Sequence, residues 1–180
     1  MHVWLTEESS VPTNDSPKTT ATDVDPAGLA SSVNALFESR IPVMHQLGIR
    51  IVELREGFVA GTAPLAGNLN YQDSMYAGTL FGLGEALGGG VFFANFDLRR
   101  FTATVKDMKI RYRRPAMTDV RAEASLDAST IARIKREADD SGKTEFVLDA
   151  ELTDTEGVVV AITHGTYQVR TYETASTPEQ

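Results

Sequence analysis

The sequence contains no cysteine among its 180 residues. Disulfide bonds, thiolate nucleophiles and metal sites with cysteine ligands are therefore excluded. Histidine is scarce as well, because only His2, His45 and His164 occur, far apart in the chain. Since a histidine-rich metal site needs several such ligands close together, we predict neither a metal nor a cofactor.

Positively charged residues are fewer than negatively charged ones. The chain has 17 lysines and arginines against 25 aspartates and glutamates, a net charge of -8 and a pI of about 4.9. Proteins that bind nucleic acids or anionic membranes present a basic face, so we expect neither partner. The sequence also lacks an apolar run of the roughly 20 residues that a membrane span requires, and the basic segment of a secretory signal. We therefore predict a cytoplasmic protein.

Hydrophobic residues are sparse at both ends of the chain. Residues 1–26 are rich in serine, threonine, proline and aspartate, and residues 173–180 have a similar composition. Such segments bury too little apolar surface to fold, so both are predicted to be disordered or loosely attached tails. The intervening residues 27–172 are sufficient for a single domain with its own core.

Hydrophobic periodicity within this domain predicts the order of its helices and strands. A helix that ends at Pro42 precedes two strands joined by the turn REG, and a glycine-rich helix follows. The next strand, within residues 101–115, changes its alternation at Lys106 and Asp107, which predicts a β-bulge. A strand, a short helix stopped by Gly142 and a hairpin with the turn DTEG complete the domain. Alternating strands indicate an antiparallel sheet with one buried face, which the long apolar helix would cover, so the fold class is α+β.

The glycine-rich segment is the most unusual part of the sequence. Six of the 14 glycines lie between Gly78 and Gly90, in an otherwise apolar run that contains one carboxylate. As a helix, the segment shows these residues on one face: Gly78, Gly82, Glu85 and Gly89. It could be a dinucleotide loop, a membrane helix, a packing face or a groove for a thin ligand such as an acyl chain. The first two are disfavoured, because a polar loop rather than a buried strand precedes the glycines and because the run is short and charged.

A functional interpretation of this helix depends on its first turn. Residues 76–79 would offer free backbone N–H groups at the positive end of the helix dipole. Glu85 would lie two turns further along, so the helix would carry an oxyanion site and a carboxylate able to act on water. The alternative is that Glu85 forms a structural salt bridge.

The segment NYQDSMYAG resembles the motif N-x-x-G-x-x-H-G-G of hotdog-fold thioesterases, in particular the PaaI-like acyl-CoA thioesterase branch. Asn70 stands at the Asn position, Gly78 at the last Gly and Glu85 at the acidic position seven residues later. The downstream KIRYRRPA is similar to the family's strand that ends in an aromatic residue, a basic residue and proline. The resemblance implies a hotdog fold, in which an antiparallel sheet wraps around one long, glycine-rich central helix.

The chain departs from this motif at three positions. Asp73 replaces the first Gly, Tyr76 replaces the His, and Ala77 replaces the first of the paired glycines. Tyr76 could donate a hydrogen bond in place of the His or could only pack. Asp73 or Ser74 could cap the long helix. These four residues are the candidates for substrate contacts around the helix N-terminus.

The resemblance also implies a reaction. The enzyme would hydrolyse acyl-CoA or another acyl thioester at a site on a dimer interface, so a homodimer or a dimer of dimers is expected. The Gly78 N–H would polarise the thioester carbonyl, Glu85 of the partner subunit would activate water or attack directly, and Asn70 would position the water or the carboxylate. The missing His leaves a second possibility open, namely a non-catalytic protein of the same fold that binds acyl-CoA or another acyl ligand.

A basic strip follows the glycine-rich helix. Arg113 and Arg114 lie at the end of the strand that also carries Lys109 and Arg111. The planar guanidinium group suits phosphates, of which coenzyme A has several, so Arg113 and Arg114 are candidate substrate ligands. The alternative is a solvated strand face whose cations pair with outward acidic residues: Glu123, Glu145, Asp149 and Glu151.

Overall fold

The computed structural model describes residues 26–172. The predicted tails therefore lie outside the described residues, except for Pro26, at which the first helix begins. Within these residues the chain forms four helices and six strands, in this order: α1 (Pro26–Arg40), α2 (Pro42–Gln46), β1 (Arg50–Arg55), β2 (Phe58–Ala63), α3 (Ala77–Asn95), β3 (Phe101–Tyr112), β4 (Val120–Ser125), α4 (Ala128–Ser141), β5 (Lys143–Asp154) and β6 (Val159–Thr171).

The strands form one antiparallel sheet in the order β1-β2-β4-β5-β6-β3. Exposed and buried residues alternate along β5 from Lys143 to Leu152, as expected for a strand with one face in solvent. The predicted bulge is confirmed, because the pairing of β3 with β6 shifts between Val105 and Asp107. The predicted α+β class and antiparallel sheet are thus confirmed.

The long helix α3 lies across the buried face of the sheet and contacts all six strands. Leu83, Leu87 and Val91 point into the sheet and are at most 1% exposed. By length and apolarity α3 could span a membrane, yet most of it is buried inside the protein's own sheet. The predicted arrangement, a sheet wrapped around one central glycine-rich helix, is therefore the observed one.

Glycines allow α3 to approach the sheet closely. A Cβ added at Gly84 would stand 2.6 Å from Cγ2 of Thr163 on β6, and one at Gly90 would stand 2.6 Å from Cγ2 of Val59 on β2. Contacts below 3.0 Å are too short for real carbon atoms, so the sheet could not lie where it does against alanine. The roughly 1 kcal/mol that each helical glycine costs relative to alanine is offset by this packing.

A third contact is closer still. The ring of Tyr167 on β6 lies over Gly88, and a Cβ at Gly88 would overlap it. The same ring stacks on Phe146 of β5, with 5.3 Å between the ring centroids. Gly165, two residues before Tyr167, also leaves room for this ring. Tyr167 is therefore locked between the helix, its own strand and the next strand.

Of the remaining helices, α1 packs on the edge strand β1 and α4 packs on the interior strand β5. The side chain of Asn34 on α1 pairs with both backbone groups of Ile51, donating to the carbonyl and accepting from the N–H at 2.8 Å each. Helix α4 is capped by Asp127, which accepts a hydrogen bond from the Thr130 N–H, and it stops at Gly142 in a left-handed conformation, as predicted. The first helix ends at Arg40, two residues before Pro42, in agreement with the predicted stop at this proline, and Pro42 itself begins α2. Proline fits the first turn of a helix, where its missing N–H is not needed.

We expect Gly88→Ala to lower the free energy of unfolding by about 1–3 kcal/mol, because the added methyl group must displace the locked Tyr167 ring. Gly89→Ala is the matched control, since no atom of residues 26–172 lies within 4 Å of a Cβ placed there. That control should be neutral or stabilising by up to about 1 kcal/mol. Urea unfolding of both variants measures the difference, and equal stabilities would contradict the close approach at Gly88.

Candidate functional site

The loop between β2 and α3 is held by Asn68. Its buried side-chain amide donates hydrogen bonds to the carbonyls of Leu47 and Pro64 at 2.8 Å each, and its Oδ1 accepts one from Thr79 Oγ1 at 3.1 Å. Its backbone carbonyl accepts from the Tyr76 N–H at 2.7 Å. Asn68 therefore fastens the loop to the first turn of α3. The sequence did not single it out, because its spacing does not distinguish it from Asn70.

Asn70 shapes the tip of the same loop. Its Oδ1 accepts hydrogen bonds from the N–H groups of Gln72, at 2.8 Å, and Ser74, at 3.3 Å, and its Nδ2 donates to Ser74 Oγ at 2.9 Å. One of the two amide hydrogens remains for another acceptor. Asp73, at the next bend, has φ 60°, a left-handed conformation that glycine adopts freely and aspartate tolerates. This conformation explains why the related motif has Gly at that position.

The N-terminus of α3 carries free donors. Its N-cap residue is Tyr76 and no side chain caps it, so the suggestion that Asp73 or Ser74 does so is wrong. The Tyr76 carbonyl accepts from the N–H groups of Thr79 and Leu80, at 3.0 and 3.3 Å. Within the described chain, the N–H groups of the two preceding residues, 77 and 78, have no acceptor. The positive end of the helix is thus open to a negative atom.

Two tyrosines flank this helix end. The ring of Tyr76 packs on Gly78, where a Cβ would come within 2.9 Å of the ring atom Cζ, and its side chain is 55% exposed. Tyr112, at the end of β3, donates a hydrogen bond to the Ala77 carbonyl at 3.0 Å. Partial burial, and next to it the nearby Tyr76, raise the pKa of Tyr112. The residue at the motif's His position therefore covers the helix end by packing.

A cavity of about 330 Å³ opens beside the helix N-terminus and contains five of the nine predicted site residues. It is lined by Asn70, Ser74, Met75, Ala77, Leu80, Tyr112, Arg113, Arg114, Pro115 and Ala116. The five are Asn70, Ser74, Ala77, Arg113 and Arg114. Gly78 and Tyr76 adjoin this cavity in the chain, Asp73 is exposed on the loop, and Glu85 lies further along α3.

The arginines of the cavity are fixed at the backbone and free at the side chain. The N–H groups of Arg113 and Arg114 both bond to the Val160 carbonyl, at 2.8 and 3.2 Å. Within residues 26–172 neither guanidinium group forms an ion pair. Of the other two cations of the strip, Lys109 pairs with Asp107 at 3.7 Å, and Arg111 forms no ion pair within these residues. The alternative, in which the strip pairs with Glu123, Glu145, Asp149 and Glu151, is therefore not observed in the described part of the chain.

Glu85 lies on the side of α3 that the sheet leaves uncovered. The residues of this face are Gly78, Phe81, Glu85 and Gly89, each exposed or half-buried. Gly82 was predicted to share this face, but it is buried against Ile49, because a helix turns by 100° per residue and the face is narrow. In the described part of the chain the Glu85 carboxylate has no ion-pair partner, and burial raises its pKa. The structural salt bridge considered as an alternative is therefore not formed among the described residues.

Tyr167 extends beneath Glu85 from the sheet. Its hydroxyl group lies 3.4 Å from the Glu85 carbonyl oxygen and 3.9 Å from Sδ of Met108 on β3. Burial, followed by the charge of Glu85, raises the pKa of Tyr167. Sequence alternation places Tyr167 among the inward residues of β6 but gives no sign that its hydroxyl reaches the helix. Residues 26–172 contain no group of three or more His, Asp or Glu side chains arranged to hold a metal ion.

The two candidate groups, the Gly78 N–H and the Glu85 carboxylate, lie at different places along one helix. Gly78 and Glu85 are separated by seven residues, which corresponds to about 10 Å along the helix axis. A general base and an oxyanion donor must both lie about 3 Å from the atoms of a single reacting group. If both groups serve one reaction, each chain would therefore provide two half-sites.

Comparisons with known proteins identify the family of this chain. A family model described as "Putative thioesterase (yiiD_Cterm)" matches residues 30–171. A Pseudomonas aeruginosa protein of unknown function, described as a probable thioesterase, is 43% identical over 79% of this chain and 95% of its own, with a TM-score of 0.73.

Two more distant structures show the same fold. A thioesterase from Haemophilus influenzae is 16% identical, covers 82% of this chain and 94% of its own, and has a TM-score of 0.65. The PaaI protein from the phenylacetic acid degradation operon of E. coli is 22% identical, covers 77% of this chain and 96% of its own, and has a TM-score of 0.56. The resemblance to the hotdog-fold thioesterase superfamily is confirmed.

We expect Glu85→Gln to raise the melting temperature at neutral pH, because it removes the cost of burying a charge. The sign follows from the raised pKa: folding favours the protonated acid, so the native protein loses stability as pH rises from the unfolded pKa past the folded one. The gain should therefore be larger at pH 8 than at pH 4. Differential scanning calorimetry at both pH values measures it, with the exposed Glu156→Gln as control. A gain that does not grow with pH would contradict the desolvation of Glu85.

Proposed function

The chain belongs to the family described as "Putative thioesterase (yiiD_Cterm)", and on that premise we propose that it hydrolyses acyl-CoA thioesters. The observation that carries the proposal is the pair of free N–H groups at residues 77 and 78, beside a cavity that Arg113 and Arg114 line. A half-buried carboxylate, Glu85, lies on the uncovered face of the same helix. A cytoplasmic location remains a prediction.

The helix N-terminus would stabilise the negative charge that develops on the thioester oxygen. Water attacks the carbonyl carbon, and the oxygen takes up the electron pair of the C=O bond. The N–H of Gly78, with that of Ala77 beside it, would donate to this oxyanion at the positive end of α3. When the C=O bond re-forms, the C–S bond breaks and the thiol leaves.

Glu85 would act as the general base. It would accept a proton from the attacking water and later deliver it to the leaving sulfur, so that acid and thiol are the products. Its raised pKa makes the carboxylate a stronger base than an exposed glutamate. Asn70, whose amide retains one hydrogen for another acceptor, would position the water or the carboxylate.

A second copy of the chain would bring the half-sites together. If two α3 helices lie antiparallel about a two-fold axis near the midpoint of Gly78 and Glu85, each Gly78 faces the Glu85 of the other copy. The midpoint falls at Phe81, a large apolar side chain that is 38% exposed on this face. The outer edge of the 12-residue strand β3 is unpaired in the described chain and could join the same interface. We therefore infer a homodimer.

The phosphates of coenzyme A would bind Arg113 and Arg114. Both arginines are exposed and line the cavity beside the helix N-terminus, and in the described chain their guanidinium groups have no ion-pair partner. Substrate-binding roles for Ser74 and Ala77 follow from the same lining. Tyr76 would cover the reacting carbonyl, and Asp73 would hold the loop in its left-handed bend.

The alternative is a non-catalytic protein that binds acyl-CoA or another acyl ligand. It is favoured by one observation: the residue at the motif's His position, Tyr76, packs its ring on Gly78, the proposed oxyanion donor. Stabilisation of the wild-type protein by acyl-CoA without any turnover would support this alternative.

We expect Glu85→Gln to lower kcat for acyl-CoA hydrolysis by at least about 100-fold, because general-base catalysis contributes about that much. A panel of short, long and aromatic acyl-CoAs should be assayed with a thiol reagent. Glu156→Gln, an exposed carboxylate on the β5–β6 turn, is the matched control. Turnover by the wild type that persists in Glu85→Gln would exclude the proposed role of Glu85.

Replacing both Arg113 and Arg114 with Gln should raise KM for acyl-CoA about tenfold, which corresponds to about 1.4 kcal/mol of binding free energy. KM for an acyl-pantetheine that lacks the nucleotide phosphates should not change. The matched control is Arg136→Gln, an exposed arginine on α4. Equal effects on both substrates would show that the arginines do not bind the phosphates.

A further inference from the structure

Tyr112 ends strand β3 beside the N-terminus of α3 and forms a hydrogen bond to that helix. Its hydroxyl group donates to the carbonyl oxygen of Ala77 at 3.0 Å. In a helix this oxygen already accepts a bond from the N–H four residues further on, and its second lone pair can take another donor. The carbonyl would therefore be satisfied without Tyr112, so backbone hydrogen bonding alone does not require this contact.

The carbonyl of Ala77 and the N–H of Gly78 belong to the same peptide group. This group is planar and trans, so its C=O and N–H bonds point in opposite directions. Tyr112 thus holds one end of the peptide whose other end is the proposed oxyanion donor. Because hydrogen bonds in a chain polarise one another, a donor on the carbonyl makes the N–H a stronger donor in turn. The hydroxyl group can therefore act on the oxyanion through this peptide.

The backbone around Tyr112 is fixed by several bonds. Within the sheet, Tyr112 pairs with Ala161 of β6, and the N–H of the following residue donates to a β6 carbonyl at 2.8 Å. Further along, the Ala116 carbonyl accepts from the Met75 N–H at 2.9 Å, which joins this segment to the loop before α3. A donor held by the sheet in this way has its geometry before a substrate binds, as electrostatic catalysis requires.

The side chain of Tyr112 can lose its hydroxyl group without losing its place. The ring is 46% exposed and lines the same cavity as Arg113 and Arg114. Partial burial, and next to it the nearby Tyr76, raise the pKa of Tyr112 above its ordinary value of about 10, so the phenol stays protonated and donates at neutral pH. Phenylalanine therefore removes the donor and keeps the ring in the cavity wall.

We propose that Tyr112 is a positioning residue for thioester hydrolysis: it orients and polarises the peptide between Ala77 and Gly78, so that the Gly78 N–H meets the thioester oxygen. The inference rests on the proposed function, in which this N–H stabilises the oxyanion. A purely structural role, in which Tyr112 only fastens α3 to β3, predicts a different result. It would lower the stability of the fold and leave the chemical step of the folded enzyme unchanged.

Tyr112→Phe should lower kcat for acyl-CoA hydrolysis about three- to tenfold and keep KM within about twofold, because polarisation matters most when the oxygen becomes an anion. The loss is smaller than the roughly 100-fold effect of deleting an oxyanion donor, since the Gly78 N–H is still present. Tyr172→Phe removes the same group from an exposed tyrosine directly after β6 and should change neither constant. Circular dichroism and melting curves show whether each variant is folded at the assay temperature.

The carbonyl stretching frequency of a bound ligand reports on the helix N-terminus directly. The probe is a ketone analogue of an acyl-CoA, in which a methylene group replaces the thioester sulfur and the carbonyl carbon is isotopically labelled, so that no hydrolysis occurs. Hydrogen bonding to the Gly78 N–H should lower this infrared frequency in the wild type, and Tyr112→Phe should lose part of the lowering. A merely structural bond would not change the frequency in a folded variant.

Each result decides between these roles. Equal kcat and equal carbonyl frequencies in the wild type and Tyr112→Phe would overturn the inference and leave the proposed hydrolysis standing. A variant that loses activity only in proportion to its loss of fold would overturn it as well. A wild type that binds the ketone but hydrolyses no acyl-CoA contradicts the hydrolysis, whereas the carbonyl frequency still decides the role of Tyr112. A wild type that neither hydrolyses acyl-CoA nor binds the ketone overturns both proposals.

Discussion

The close approach of α3 to the sheet is the constraint on which the rest of this structure depends. At Gly84, Gly88 and Gly90 the sheet occupies the space that a β-carbon would need, and the Tyr167 ring fills the central gap. A helix seated this deeply has little freedom to slide or rotate, because any shift brings its backbone onto a side chain of the sheet. The close packing of the helix on the sheet therefore also fixes its N-terminus at the end of β3, beside the arginine-lined cavity.

The deep position of α3 in the sheet also determines the environment of Glu85. Sinking the helix into the sheet leaves a narrow uncovered face, so a side chain at residue 85 is neither in the core nor fully in water. A carboxylate there loses hydration without gaining a counter-charge from the described chain, which raises its pKa and costs folding stability. Nothing within the described chain offsets this loss of folding stability, since Glu85 has no ion pair there. A group retained at the expense of stability is characteristic of functional sites.

The sequence predicted well those features that depend on periodicity alone. Alternation gave the antiparallel sheet and the bulge between Val105 and Asp107, and the run of apolar residues and glycines gave the central helix. It could not say which glycines meet the sheet, because six of them within 13 residues put glycine on every side of the helix. Nor could it choose between Asn68 and Asn70, since only the fold brings the carbonyls of Leu47 and Pro64 around one of them. Asp73 was expected as a possible cap of α3, whereas it lies at a left-handed bend of the loop, which no sequence pattern indicated.

The geometry of a single helix also explains why a two-chain site would be needed at all. Gly78 and Glu85 belong to one rigid element, so the roughly 10 Å between their backbones along the helix axis is fixed within a chain. A two-fold axis near Phe81, the midpoint between them, would instead bring Gly78 of each copy close to Glu85 of the other copy. One sequence would then supply both halves of two equal sites, and mutation of either residue would damage both. The spacing of seven residues would determine where two copies must meet along α3. The arrangement of the two helices that catalysis requires would then be the same arrangement that forms the dimer.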